Sequence, residues 1–108
     1  MSNELTKVCA LDDVDVEDLI QVRLSDGPIV AVYRVDDEEV YVTQDSCTHK
    51  KASLGEEGDL DGHIVECTWH SCKFDVRTGE TISDLPCEAP LKTYPVTIQA
   101  GDVFIEMG

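Results

Sequence analysis

Two short stretches of this chain decide its fold: Cys47-Thr48-His49 and Cys67-Thr68-Trp69-His70. Seventeen residues, 50–66, separate them. Each stretch can place one thiolate and one imidazole at the tip of a single loop. Two such loops brought together would offer two sulfur and two nitrogen ligands to one metal centre. The candidate ligands are Cys47, His49, Cys67 and His70.

The spacing within the two stretches bears on the kind of metal centre. A tetrahedral zinc site accepts two Cys and two His, but its usual spacing pairs Cys with Cys and His with His. Both stretches here are mixed, which counts against zinc. A [2Fe–2S] cluster with two Cys on one iron and two His on the other suits mixed pairs, because each loop then gives one ligand to each iron. A structural zinc module in an interaction protein stays open as an alternative.

These stretches resemble the Rieske iron–sulfur family, whose pattern is Cys-x-His, a spacer of about this length, and Cys-x-x-His. The resemblance covers essentially the whole chain. The further matching positions are Phe74-Asp75, Arg77-Thr78-Gly79-Glu80, Leu85-Pro86, Pro90-Leu91, Tyr94-Pro95-Val96 and Gly101-Asp102-Val103-Phe104-Ile105. The resemblance implies one [2Fe–2S] cluster. It places Cys47 and Cys67 on a buried iron, and His49 and His70 on an outer iron at an exposed tip.

The resemblance also bears on the reduction potential. High-potential members, those of cytochrome bc complexes, carry an extra Cys in each loop, and Ser and Tyr hydroxyls that donate to the cluster sulfurs. The corresponding positions here hold Ala52, Trp69, Cys72 and Phe74. A thiol is only a weak donor, and hydrogen bonds to the sulfurs stabilise the reduced cluster. A low-potential centre is therefore predicted.

Other residues near the ligands also receive expected roles, of which the shielding loop is the one implied by the resemblance. Trp69 is expected to limit water access, and Pro86 and Pro90 to stiffen a third loop that shields the cluster. Backbone N–H groups of residues 50–52 and 71–74 are the expected donors to the sulfurs.

The remaining Cys and His residues have simpler interpretations. Cys9 is expected to be a buried, small hydrophobic residue. Cys72 and Cys87 could form a disulfide, but a reducing compartment favours free thiols. His63 follows a turn and is expected to be exposed or to cap it.

The histidine count limits what the chain can catalyse. It has three His, and His49 and His70 are assigned to the cluster. A mononuclear iron site commonly needs two His and a carboxylate, so the chain cannot build one beside the cluster. It also has no Gly-x-Gly-x-x-Gly motif for a nucleotide. The prediction is an electron carrier and not an enzyme.

Among Rieske proteins, the chain resembles the ferredoxins of bacterial aromatic-ring-hydroxylating dioxygenase systems. The resemblance implies that it passes single electrons from an NAD(P)H-dependent flavoprotein reductase to a terminal oxygenase. The aromatic substrate cannot be deduced, because such a ferredoxin does not bind it. The alternative is a Rieske-like small subunit of another redox enzyme, such as nitrite reductase.

Composition narrows the partners and the compartment. The chain has 108 residues with 23 acidic and 8 basic side chains, a net charge of −15. This charge argues against nucleic acid and anionic membrane surfaces as partners. No secretory signal or membrane-spanning run is apparent, so a cytoplasmic protein is expected. Four of the basic residues fall near the ligand stretches, by chance or to orient a partner; they are Lys50, Lys51, Lys73 and Arg77.

Short runs of β-forming residues separated by turns predict the fold. Residues 29–35 and 40–43 suggest one hairpin, and residues 94–99 and 103–107 a second; no segment has a sustained helical period. We expect an all-β fold, an antiparallel sandwich or small barrel of the Rieske type, in a single domain over 1–108. A basal part over 1–43 and 86–108 would carry an inserted cluster-binding subdomain at about 44–85.

Overall fold

The computed structural model of the chain describes residues 5–24, 27, 29–45, 53–67, 72–82 and 90–106. The strands are β1 (Leu5–Ala10), β2 (Asp18–Arg23), β3 (Ile29–Arg34), β4 (Val40–Gln44), β5 (Gly58–Asp61), β6 (Ile64–Cys67), β7 (Cys72–Asp75), β8 (Thr93–Tyr94), β9 (Val96–Gln99) and β10 (Asp102–Glu106). A 3₁₀ helix (Leu11–Asp13) and the single-turn helix α1 (Leu54–Glu57) are the helical elements of these ranges. No helix within them is long and apolar enough to cross a membrane.

The strands form three antiparallel sheets. The first sheet has the order β1-β10-β9, the second β2-β3-β4-β8, and the third β5-β6-β7. Neighbouring strands are antiparallel in every pair. The expected all-β, antiparallel fold is confirmed.

Strand β3 lies at the centre of the molecule. Its residues 30–33 are all fully buried, and successive side chains point to opposite faces of a sheet. Val30 and Val32 pack with the first sheet, whereas Ala31 and Tyr33 pack with α1 and the third sheet. The unbroken apolar run therefore reflects burial on both faces.

The two predicted hairpins are present. Strands β3 and β4 pair with Val32 opposite Val42, and β9 and β10 pair with Gln99 opposite Asp102. The turn residues Ala100 and Gly101 both have positive φ, at 52° and 79°. Positive φ at both positions is what a type I′ two-residue turn requires, and the backbone twist of such a turn matches that of its strands.

One predicted strand, over 94–99, proves to be two. Tyr94 pairs with Val42 in the second sheet, whereas Val96 pairs with Ile105 in the first. Pro95 between them has no N–H to offer to a ladder, so the chain changes sheets at this residue.

The third sheet spans residues 58–75, within the segment expected to form the cluster-binding subdomain. The other strands fall in the expected basal part, with β4 ending at Gln44. The limits of the two parts stay a prediction.

Candidate metal centre

Of the four candidate ligands, Cys67 lies within the described residues. It is the last residue of β6 and is 1% exposed. Cys47, His49 and His70 lie outside the described residues. No three His, Cys, Asp or Glu side chains within the described ranges are grouped so that they could hold a metal ion. The complete ligand set therefore stays a prediction.

Cys67 ends one strand of a hairpin whose other strand starts at Cys72. The two residues lie opposite each other in the β6–β7 pairing, so residues 68–71 join the two strands. Both cysteines are buried in one apolar cluster with Leu54 and Phe74. The predicted Cys-x-x-His stretch thus begins at Cys67, where β6 ends, and this end of the β6–β7 hairpin is buried in the core.

The surroundings of Cys67 fit the buried-iron role. An ionised thiolate in apolar surroundings costs free energy unless a positive partner compensates it. An iron ion that binds the sulfur supplies that compensation. Leu54 starts α1 five positions after His49 and packs into the same apolar cluster, so a residue that follows the first ligand stretch lies in the core with Cys67.

The residues on either side of the segment that holds the first ligand stretch are hydrogen-bonded to each other. The backbone N–H of Leu54 donates to the carbonyl oxygen of Asp45 at 2.8 Å. The stretch 46–52, which contains Cys47 and His49, therefore leaves and re-enters the fold at neighbouring points.

A third segment is fixed near the end of β4. The N–H of Gln44 donates to the carbonyl of Lys92 at 2.8 Å, and the N–H of Lys92 donates to Oε1 of Gln44 at 2.8 Å. The N–H of Leu91 donates to the carbonyl of Gly79 at 2.7 Å. The end of the expected shielding loop is therefore held against the second sheet. Pro90 is exposed there, whereas Trp69, Pro86 and Cys87 lie outside the described residues.

The expectation of a free thiol at Cys72 is wrong. Cys72 is disulfide-bonded. The bond removes the thiol proton, so Cys72 offers no S–H donor. Cys9 is buried as expected, and burial raises the pKa of its thiol to about 11. Cys9 is therefore neutral near pH 7.

Some of the predicted backbone donors lie within the described residues and others do not. Residues 50–52 and 71 lie outside the described ranges, and residues 72–74 form the start of β7.

One of the four basic residues near the ligand stretches, Arg77, is paired with a carboxylate. Arg77 donates from Nε and Nη2 to the two carboxylate oxygens of Asp75, at 3.0 and 2.8 Å. This pairing lowers the pKa of Asp75 and raises that of Arg77. The charge of Arg77 is thus compensated locally. Lys73 is exposed on β7, and Lys50 and Lys51 lie outside the described residues.

Sequence reasoning missed a polar cluster between the second and third sheets. Oε2 of Glu39 lies 2.6 Å from Nε2 of His63 and accepts a hydrogen bond from Oη of Tyr41 at 2.5 Å. The rings of Tyr41 and His63 meet edge to face with centroids 5.9 Å apart. His63 is therefore half-buried and bonded to a carboxylate across 24 positions, instead of exposed or capping a turn. No local motif indicates this pairing.

Comparisons with known proteins agree on one family. The model described as "Rieske [2Fe-2S] domain" matches residues 4–95. The ferredoxin component of the p-cumate 2,3-dioxygenase system of Pseudomonas putida is 44% identical over 97% of this chain and 87% of its own length. The biphenyl dioxygenase ferredoxin subunit of Pseudomonas sp. (strain KKS102) is 48% identical over 94% of this chain and 90% of its own.

A solved structure gives the same result in three dimensions. The ferredoxin crystallised with the oxygenase of carbazole 1,9a-dioxygenase superimposes with a TM-score of 0.84 and 39% identity, over 97% of this chain and 94% of that one.

Proposed function

This chain belongs to the Rieske [2Fe-2S] family, and from that premise we propose that it is the ferredoxin of an aromatic-ring dioxygenase system. It carries one [2Fe–2S] cluster and is an electron-transfer component, not an enzyme in its own right. Bound to the chain, the cluster takes up and releases one electron at a time. One observation carries the proposal: ferredoxin components of two dioxygenase systems match nearly the whole chain at 44% and 48% identity.

The proposed ligands are Cys47 and Cys67 for the inner iron and His49 and His70 for the outer iron. The burial of Cys67 at the core end of β6 supports the inner position. The donor chemistry agrees as well, since soft thiolates and neutral imidazoles are both ligands for iron.

The proposed partners are a flavin-dependent reductase, which supplies the electrons, and a terminal oxygenase, which receives them. The carbazole dioxygenase ferredoxin, which is similar to this chain, forms a complex with its oxygenase. The net charge of −15 supports protein partners over nucleic acid or an anionic membrane. We place the protein in the cytoplasm, where NAD(P)H is available to the reductase.

An electron-transfer assay tests the proposal. The purified protein should contain two iron and two sulfide per chain. Under anaerobic conditions, NADH and the flavoprotein reductase of a biphenyl dioxygenase system should reduce it by one electron. Reoxidation should follow on adding the oxygenase of that system with biphenyl and oxygen, and product should form only when this chain is present.

Two outcomes would overturn the proposal. A colourless protein that contains one zinc would establish the structural zinc module. A [2Fe–2S] protein that exchanges no electrons with dioxygenase components, yet copurifies with a nitrite-reducing flavoprotein, would establish the alternative small-subunit role.

A further inference from the structure

Asp45 carries a buried carboxylate beside the first ligand stretch. The residue is 4% exposed, and it lies two positions before Cys47. Oδ1 accepts hydrogen bonds from Oγ of Ser53 at 3.0 Å and from the N–H of Gly55 at 2.9 Å. Oδ2 accepts one from Nε2 of Gln21 at 2.9 Å. Three donors thus satisfy a buried charge that would otherwise be costly.

These contacts join the two ends of one loop. Asp45 precedes the stretch 46–52, and Ser53 and Gly55 follow it. With the backbone bond from Leu54 to the carbonyl of Asp45, three hydrogen bonds connect Asp45 directly to residues 53–55.

Ser53 extends the connection to β2 and α1. Its Oγ donates to Asp45 and accepts from Nε2 of Gln21 at 3.0 Å and from the N–H of Glu56 at 3.2 Å. Ser53 therefore caps α1 while it closes the loop. Gln21 on β2 donates to both Asp45 and Ser53, so a rigid strand supports the closure.

The packing of α1 adds a steric requirement. A Cβ atom at Gly55 would lie 2.5 Å from the backbone N and 2.6 Å from Cα of Gln21. Only glycine allows α1 to approach β2 this closely, and the approach brings the N–H of Gly55 to Asp45.

We propose that Asp45 is a positioning residue that closes the base of the first ligand loop. It holds the residues on either side of 46–52 together, so that Cys47 and His49 lose less conformational entropy when they bind the cluster. Asp45 acts through the loop, since its carboxylate oxygens accept from Ser53, Gly55 and Gln21. This inference rests on the proposed function, because it takes Cys47 and His49 to be ligands.

The test compares cluster release by loaded variants. Asp45→Ala removes the acceptor for all three donors, Asp45→Asn keeps the shape but replaces one acceptor oxygen with a donor, and Ser53→Ala removes one donor only. Anaerobic transfer of iron to a chelator is followed by visible absorption, and the reduced cluster is examined by EPR. Asp45→Ala should release iron about ten-fold faster or more, because hydrogen bonds to charged groups are strong. Asp45→Asn and Ser53→Ala should fall between it and the parent.

Two controls separate positioning from general stability. Asp59→Asn alters an exposed carboxylate on β5 and should leave iron release unchanged. Val103→Ala weakens the core cluster that involves the first sheet; it should lower the unfolding midpoint but leave the EPR spectrum unchanged. Asp45→Ala should broaden that spectrum, because the ligands of the first loop are held less uniformly.

Each result has a distinct meaning. Equal iron release by Asp45→Ala and the parent would overturn the inference while the proposed function stands. The same applies if Val103→Ala matches Asp45→Ala in both release and EPR. A parent protein without iron and sulfide would overturn the proposed function itself. If Asp45→Ala does not fold, Ser53→Ala and Gly55→Ala carry the test, and parental iron release by both would overturn the inference.

Discussion

Nε2 of His63 lies 2.6 Å from Oε2 of Glu39, a contact that joins the turn between β5 and β6 to the segment just before β4. In the β5–β6 hairpin, His63 lies in the turn and Cys67 at the far end, since Asp61 pairs with Ile64 and Gly58 with Cys67. Four residue-to-residue steps of extended strand separate the two by about 13 Å. The contact therefore connects the second and third sheets at the end of the β5–β6 hairpin that is remote from Cys67.

The hydroxyl of Tyr41 should titrate far above its ordinary range. Its hydrogen bond to Glu39 and its burial raise its pKa from 10.0 to about 12. Because the folded-state pKa is the higher one, this contribution to stability is complete below pH 10.0 and is lost as the pH rises through about 12. Glu39→Gln should move the transition back toward 10.0, as measured by tyrosinate absorbance with Tyr41→Phe to assign it. An unchanged curve would contradict the role of Glu39.

Glu39 should show the opposite pH dependence. The hydrogen bonds from Tyr41 and then His63 lower its pKa below the ordinary 4.5. Its contribution to stability is therefore complete above pH 4.5 and is lost as the pH falls through the lowered pKa. Thermal unfolding of the parent and Glu39→Gln should differ at neutral pH and converge in acid. A difference that persists in strong acid would mean that the carboxylate charge is not responsible.

Gly79→Ala should be much more costly than Gly62→Ala. Both glycines have positive φ, at 80° and 61°, so both substitutions carry a backbone penalty of about 1–2 kcal/mol. A Cβ at Gly79 would also lie 2.1 Å from the carbonyl oxygen of Leu91, whereas one at Gly62 meets nothing within 4 Å. We expect a total loss of about 3 kcal/mol or more for Gly79→Ala, measured by urea unfolding. Equal losses would show that Leu91 moves aside freely.

Much of the basal fold could be predicted from local pattern. The β-branched run at 29–35 and the Gly-containing turn at 100–101 specified both hairpins, because strand propensity and turn chemistry agree there. Strands β1 and β5 are among those that local pattern does not predict. Strand β1 pairs with β10 from the other end of the chain, and β5 contains Gly58 and two Asp, so its pairing with β6 overrides weak propensity.

The sequence leads to a proposal for the ligands because Cys and His at fixed short spacings carry their own chemistry, and that ligand set stays a prediction. The supporting residues could not, since their partners are distant in sequence. Asp45 bonds Gln21 across 24 positions, and Glu39 reaches His63 across another 24. An isolated Asp in a polar segment has no local signature of burial, so only the three-dimensional fold identifies it.

Cys67→Ser should remove the cluster, whereas Cys9→Ser should retain it. Both cysteines are buried, but only Cys67 lies at the end of a strand that leads into a ligand stretch. Cys9 is neutral, and its replacement should cost about 1–3 kcal/mol through a buried hydroxyl without affecting iron. Iron and sulfide per chain measure the outcome. A loaded Cys67→Ser protein would remove Cys67 from the proposed ligand set.

Phe74 should hold the reduction potential low. Its side chain is fully buried in the apolar core with Cys67. It has no polar atom that could donate a hydrogen bond to a sulfur of the [2Fe–2S] cluster. Cys72, in a disulfide, has no thiol proton to donate either. Since hydrogen bonds to the sulfurs stabilise the reduced state, we expect a potential near the lower end of about −150 to +300 mV.

Phe74→Tyr should raise that potential. A neutral hydrogen bond contributes about 0.5–1.5 kcal/mol, which for one electron corresponds to about 20–65 mV. Phe74→Leu changes the packing without adding a donor and should shift the potential less. Both are measured by redox titration of the EPR signal, with the parent beside them. A parental potential well above zero, or equal shifts in the two variants, would show that a missing donor at Phe74 does not set the potential.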